Sequence, residues 1–205
     1  MEKPNKKEEI LEAALELFSV YGYEATSISQ IADAVGVRKA SLYSHYGSKQ
    51  DILDKVFDYV LSGYEQRSIF ANADWEDPDF TAGKENMTPE DVAAMVIGQI
   101  NYIIHDPHIS KGRKMITIGQ FNNAEMAALQ TRQNYTDVMK FFEGMMGFMI
   151  DKGYLKDANR KIMAAQFVAP ITVWINLCDR EPAREEEVMD LVRKHVTQFF
   201  GIYRR

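Results

Sequence analysis

The sequence predicts an all-α protein, and three observations carry that prediction. Apolar residues recur at i, i+3/i+4 spacing through almost every periodic stretch. No segment shows sustained apolar and polar alternation bounded by hairpin turns. Helix-start residues and stop glycines punctuate the chain at helix-length intervals. With 205 residues, 46% hydrophobic and 26% charged, the chain can bury a core, and Gly 12 with Pro 6 excludes collagen-like and low-complexity architectures.

In the first element Ile10, Leu11, Ala14, Leu15 and Phe18 form one stripe, with Glu8, Glu9, Glu12 and Glu16 on the water side and Gly22 as the stop. Ser27 and Gln30 have capping-box spacing, so a short helix begins near Ile28. Its residues Ile31, Ala32 and Val35 face inward, and Gly36 suits the left-handed position that ends a helix. A third helix is expected over 39–46. At about 100° per residue, Leu42 and Tyr46 share one side. The small residues Ala40, Ser41 and Ser44 lie opposite, flanked by Tyr43 and His45, with Arg38 and Lys39 at the N-terminal end. Ser48 and Asp51 then open a fourth helix striped by Ile52, Leu53, Val56, Phe57, Val60 and Leu61.

A face of small residues lets a helix axis come close to another surface, as reading base edges in a major groove requires. A short exposed helix with incidental serines has the same sequence. The net charge of −6 argues against indiscriminate coating of nucleic acid or anionic membrane. Local charge differs: from Gly36 to Ser48 the only charges are Arg38 and Lys39, and Lys49 follows before the first carboxylate at Asp51.

Together these residues resemble the DNA-binding domain of the TetR/AcrR family of one-component transcriptional regulators. The resemblance runs in register through Ile10-Leu11-Glu12-Ala13-Ala14-Leu15-Glu16-Leu17-Phe18, Gly22-Tyr23, Thr26-Ser27-Ile28, Ile31-Ala32, Gly36-Val37, Ser41-Leu42-Tyr43-Ser44-His45-Tyr46 and Ser48-Lys49, covering the N-terminal quarter. It implies a three-helix helix-turn-helix DNA-binding domain over 1–48, followed by a larger helical ligand-binding and dimerisation domain over 49–205. It further implies that Thr26 and Ser27 touch phosphate at the second helix, that Tyr43 and Lys49 do so at the end of the third, and that Arg38, Lys39, Ala40, Ser41, Ser44 and His45 lie in or beside the major groove. The alternative for Tyr43 is a half-buried packing residue, and for His45 an exposed side chain. Arg38 departs from the family pattern, which often has Ser or Thr there as N-cap. Arginine cannot cap, but it can donate bidentately to guanine O6 and N7, and the division of base and phosphate contacts between Arg38 and Lys39 stays open.

Further on, 72–88 carries Asp74, Glu76, Asp77, Asp79 and Glu85 and reads as a solvated loop without the Gly and terminal Glu of an EF-hand, so no metal is expected. Thr88, Pro89, Glu90 and Asp91 start a fifth helix that runs to about His105, where Pro107 breaks it. A segment over 108–119 follows, and a long helix from about Ala124 carries Met139, Phe142, Met146 and Ile150 to a stop at Gly153. Ten of the eleven methionines lie after residue 80, among aromatics. Such an interior either lines a pocket for a hydrophobic or aromatic molecule or is ordinary core filler. The candidate ligand-binding residues are Tyr102, Gln120, Phe121, Phe141, Met145 and Trp174. The last two helices, near 159–178 and 184–203, resemble the family's dimerisation elements. Ile162, Ala165, Phe167, Ala169, Ile171, Val173, Trp174 and Leu177 dominate one, and Val188, Leu191, Val192, Val196, Phe199 and Phe200 stripe the other; burial within one subunit is the alternative.

The expected function is a homodimeric repressor that binds a palindromic double-stranded operator and leaves it when a small molecule fills the C-terminal domain. No cofactor, metal or membrane is expected to take part. A regulator or interaction module without an inducer is the second reading. An enzyme is disfavoured: His105 and His108 flank a proline and cannot form the i, i+4 pair of a zinc site, no glycine-rich phosphate loop is present, and Cys178 is a lone thiol. The longest apolar run, 167–175, is less than half a membrane span, and the start of the chain lacks a secretory signal, so a cytoplasmic location is expected.

Overall fold

The structure, a computed structural model, describes residues 5–205. Among them run α1 (Lys6–Tyr21), α2 (Ile28–Ala34), α3 (Lys39–Tyr43), α4 (Lys49–Arg67), α5 (Ile69–Asn72), α6 (Pro78–Thr81) and α7 (Pro89–His105). Then follow α8 (Pro107–Gly119), α9 (Ala124–Thr131), α10 (Asp137–Asp151), α11 (Arg160–Arg180) and α12 (Glu185–Tyr203). The only β pairing among these residues is an isolated bridge between Leu155 and Arg204. The chain divides into two compact units, one of α1–α4 with Asp106–Thr131, the other of Ser68–His105 with Arg132–Arg205.

In the first unit Ile10, Leu15 and Phe18 of α1, Ile31 of α2, Leu42 of α3 and Ile52, Leu53, Val56 and Phe57 of α4 converge on one core. Met115 and Ile116 of α8 and Met126 and Leu129 of α9 complete it. Each such side chain contributes about 1.5–3 kcal/mol by leaving water. Local chemistry sets the helix ends. Asn5 and Glu8 form a capping box on α1, and Ser27 and Gln30 form the one expected on α2. Gly36 has φ +67° and its amide donates to Asp33, while Val37 N–H donates to the Ala32 carbonyl at 3.0 Å. Asp106 caps α8, its carboxylate accepting from the amides of His108 and Ile109 at 3.1 Å each. At Gly112 α8 lies so close to α4 that an added Cβ would stand 2.4 Å from Val60 Cγ1.

In the second unit Val92, Val96 and Ile100 of α7, Phe142, Met145, Met146 and Met149 of α10, Phe167 and Ile171 of α11, and Val188, Val192, Val196, Phe199 and Phe200 of α12 share a core. Pairs such as Phe142 and Phe167, with centroids 4.9 Å apart, set its packing. Among the described residues α11 is the one helix long and apolar enough, by length and composition, to cross a membrane; its Met163, Ala164, Phe167, Val168, Ile171 and Cys178 are buried in this unit.

Four expectations change. The third helix ends at Tyr43, and 44–46 form a turn in which His45 and Tyr46 amides donate to the Leu42 carbonyl. The segment 72–88 is not simply a solvated loop, because Trp75 is only 9% exposed and two one-turn helices, α5 and α6, flank it. The helix expected from Ala124 is two, separated by a π-helical turn at Arg132–Thr136. The extra residue per turn rephases the chain where its buried face passes from one core to the other: Met126 and Leu129 belong to the first unit, Met139 and Phe142 to the second. Finally, the stripe of α12 is spent inside its own unit, whereas α11 keeps Ile162 (54% exposed) and Val173 (61% exposed) on its outer face.

Candidate nucleic-acid interface

The third helix is presented by its neighbours. Leu42 is fully buried, and the Tyr46 hydroxyl donates to the Lys7 carbonyl at 3.1 Å, tying the end of the α3 turn to α1. Burial, reinforced by Asp51, pushes the Tyr46 phenol above its ordinary value, so it stays a neutral donor. With that side anchored, Arg38, Lys39, Ala40, Ser41, Tyr43 and Ser44 are all exposed, together with Ser27 at the start of α2. His45 is half-buried. Arg38 is the N-cap residue of α3 and makes no side-chain cap bond. The Ser44 hydroxyl donates to the Ser41 carbonyl at 2.6 Å.

Two expected phosphate contacts are placed differently. Thr26 is 2% exposed, and its hydroxyl donates to the Gly22 carbonyl at 2.8 Å. It closes the bend between α1 and α2 and is not on the presented surface, because a buried hydroxyl must spend its donor internally. Lys49 is half-buried: its ammonium donates to the carbonyls of Tyr23 at 2.8 Å and Thr26 at 3.0 Å and sits 4.0 Å from the centre of the Tyr23 ring. Two of its three N–H groups therefore pin the same bend that Thr26 closes. Tyr23, to which the sequence reading gave no role, is the hub. It packs edge-on against Phe18 at 5.4 Å and donates to Gln50 Oε1 at 3.1 Å. Burial, then Glu24 and Asp54, push its phenol up. The signal that could have found it is the basic residue that opens α4, two helices further on, a cation placed for an aromatic face.

The candidate ligand residues are divided between the two units. Gln120 and Phe121 belong to the first unit, where Gln120 donates to the Thr117 carbonyl at 2.8 Å and Phe121 is 86% exposed. Tyr102, Phe141, Met145 and Trp174 belong to the second: Phe141 and Met145 are buried in its core, Tyr102 and Trp174 half-buried, with Trp174 edge-on to His195 at 5.6 Å. His105 and His108 lie in different units, the first 3.1 Å from Glu185, the second 2.8 Å from Glu12 and 2.9 Å from the Tyr59 hydroxyl. The acidic segment spends carboxylates on its own backbone, Asp74 accepting from Glu76 and Asp77 from Asp79.

Residues 10–56, which span the whole helix-turn-helix and the first turns of α4, match the family described as bacterial regulatory proteins, tetR family. This N-terminal stretch is similar in sequence to the DNA-binding segment of that family. Curated relatives of that domain include the biofilm operon icaADBC HTH-type negative transcriptional regulator IcaR of Staphylococcus aureus, 41% identical over 58 residues, which is 26% of this chain and 31% of the regulator. IcaR of Staphylococcus epidermidis is 43% identical over 59 residues, covering 27% of this chain and 32% of its own. The chain thus aligns with about a third of the length of these regulators. Over the whole chain the fold is that of solved TetR-type structures. SmeT in complex with triclosan superposes with a TM-score of 0.63 at 21% identity, covering 97% of this chain and 91% of SmeT. A TetR family transcriptional regulator from Pseudomonas syringae superposes with a TM-score of 0.60 at 18% identity, covering 98% of each chain.

Proposed function

We propose that the chain is a homodimeric transcriptional repressor that grips a palindromic operator through α2 and α3 and releases it when a small hydrophobic or aromatic molecule binds in the C-terminal helices. The observation that carries this reading is the α3 face: two cations at the N-terminal end, small residues along the middle and an exposed tyrosine at the far end, on a helix anchored by Leu42 and Tyr46. That face can sink to base edges, with Arg38 or Lys39 as the donor to guanine and Ser27, Tyr43 and the third N–H of Lys49 as phosphate contacts. Repression is favoured by the IcaR relatives, named as negative regulators, and a small-molecule inducer by the SmeT fold, solved with triclosan.

Dimerisation rests on α11. Its outer row of Ile162, Gln166, Ala169 and Val173 follows i, i+4, i+7, i+11, and the two largest apolar members are more than half exposed. Two copies joined there across a two-fold axis carry two recognition helices, about 34–36 Å apart for successive turns of one DNA face. Helix α4 is the lever, since it packs on α1 and α8 within the head unit and leads directly into Ser68 of the second unit. A coupling of about 1–3 kcal/mol weakens operator binding roughly 5–150-fold.

The test is selection of fragments from the organism's own DNA by the purified protein, then affinity against salt for wild type and for R38A and K39A. Replacement of a guanine-reading residue costs about 1–3 kcal/mol and relaxes the preference at one base pair, whereas loss of a phosphate contact lowers the salt slope by about one. Retention of no fragment removes the reading.

A further inference from the structure

Helix α10 carries a slot shaped for a flat ring. Phe141, Gly144 and Phe148 fall at i, i+3 and i+7, on one helical face. The indole of Trp75 lies across it, edge-on to Phe141 at 5.4 Å and tilted against Phe148 at 5.6 Å, and Phe80 closes the other side at 5.3 Å and 85°. Only glycine permits this: a Cβ on residue 144 would stand 2.7 Å from Trp75 Cδ1 and 3.0 Å from its Cβ and Cγ. The segment delivering Trp75 has little hold of its own. Its two helices, α5 and α6, are four residues each, too short to persist without tertiary anchors, and Asp74, Glu76, Asp77 and Asp79 around the tryptophan are exposed.

Trp75 is also an imperfect occupant. It is 9% exposed, yet its Nε1–H finds no acceptor among the described residues. A buried donor left unpaired costs free energy that water restores once the indole swings out. A ring of similar size without that N–H loses nothing in the same place. The rim carries both signs of charge, with Lys84 4.1 Å from the Phe80 ring centre, Lys152 5.5 Å from that of Phe148, and exposed carboxylates on the residues next to Trp75, while the walls are aromatic.

We propose that this slot is a binding site for a neutral, planar aromatic molecule of one or two fused rings, and that Trp75 fills it until such a molecule takes its place. The proposal names the ligand class for the inducible repressor described above and rests on that reading. The exchange frees the segment 68–88, which continues from α4.

The probe is naphthalene. The full chain is labelled with 5-fluorotryptophan, which gives two fluorine resonances for its two tryptophans, and the Trp75 signal is assigned by its loss in W75F. On titration with naphthalene that signal is expected to move to the position of solvent-exposed label. W75A, with the slot vacated, is expected to bind naphthalene about five-fold or more tightly than wild type, the worth of roughly one aromatic edge contact. A Trp75 resonance unmoved up to the solubility limit of naphthalene overturns the proposal, as does equal affinity in a folded W75A. Operator binding of the unliganded protein is measured separately. Operator retained and released by another compound while Trp75 stays buried sinks the slot and leaves the repressor; no operator bound at all sinks the repressor, and the fluorine signal alone then judges the slot.

Discussion

Replacing Gly112 with alanine tests how closely α8 must approach α4. The new methyl would lie 2.4 and 2.8 Å from the two Cγ atoms of Val60 and 3.2 Å from its Cβ. Val60 is buried and β-branched, so it has few alternative rotamers, and the helices must separate. Overpacking of this kind costs about 1–3 kcal/mol. Glycine to alanine inside a helix also gains roughly 0.8–1.0 kcal/mol of propensity, which would blur the result. Gly98 on α7 supplies the control, because a Cβ there meets nothing within 4 Å. G98A is therefore expected to raise the melting temperature and G112A to lower it. At about 2–4 °C per kcal/mol for a chain of this size, the two variants should differ by roughly 2–12 °C in thermal unfolding followed by circular dichroism. The double variant G112A/V60A should be less destabilised than the two single changes summed, by about 0.5–3 kcal/mol. If G112A melts as high as G98A, the packing of α4 on α8 is not what the geometry requires, and the lever assigned to α4 loses its fulcrum.

Thr26→Val, which removes the hydroxyl held by the Gly22 carbonyl, should lower stability by about 1 kcal/mol in urea unfolding while leaving DNA affinity at fixed salt unchanged; a folded variant that binds every fragment more weakly would restore Thr26 as a phosphate contact. If two copies join through α11 as proposed, Val173→Asp on its outer face should leave the chain monomeric in sedimentation at concentrations where wild type dimerises, with helicity unaltered; a variant that still dimerises would place the interface elsewhere. Asp91 accepts from the amide of Thr88 at 2.9 Å and from its hydroxyl at 2.8 Å, and these bonds hold its carboxyl below its ordinary value. Because the folded value is lowered, the contribution is complete above the unfolded carboxylate pKa of about 4 and disappears as pH falls through the lower folded value. Protection of the Thr88 amide, relative to its intrinsic exchange rate at each pH, should fall over that acid window in wild type and be absent throughout in D91A.

The reading head was legible in the sequence because its signals are local. The Ser27 and Gln30 box, the left-handed Gly36 and the inward pair Leu42 and Tyr46 lie within twenty residues, and each follows from backbone geometry or helical phase alone. Its exposed face followed by subtraction. Less legible was the fate of individual polar groups: Thr26 and Lys49 have the chemistry of phosphate contacts, yet carbonyls at the bend between α1 and α2 take the Thr26 hydroxyl hydrogen and two of the three Lys49 ammonium hydrogens, leaving one for phosphate. In the second unit apolar stripes were visible but not their destinations. The row on α12 reads like an interface and is consumed by its own core, while Phe121, grouped with the ligand residues by composition, stands in solvent.

Helical class, element order and the character of the α3 face were thus set by residue pattern, since caps, glycines and apolar periodicity act over one or two turns. Tertiary structure alone decided that Trp75, inside an acidic stretch, goes under cover, because the Phe141, Gly144 and Phe148 surface receiving it comes from a helix more than sixty residues away. It also decided that a π-helical turn at Arg132–Thr136 separates α9, whose Met126 and Leu129 belong to the first core, from α10, whose Met139 and Phe142 belong to the second. Periodicity records which side of a helix avoids water; it carries no information on which partner accepts that side, and that choice belongs to packing among elements distant in the chain.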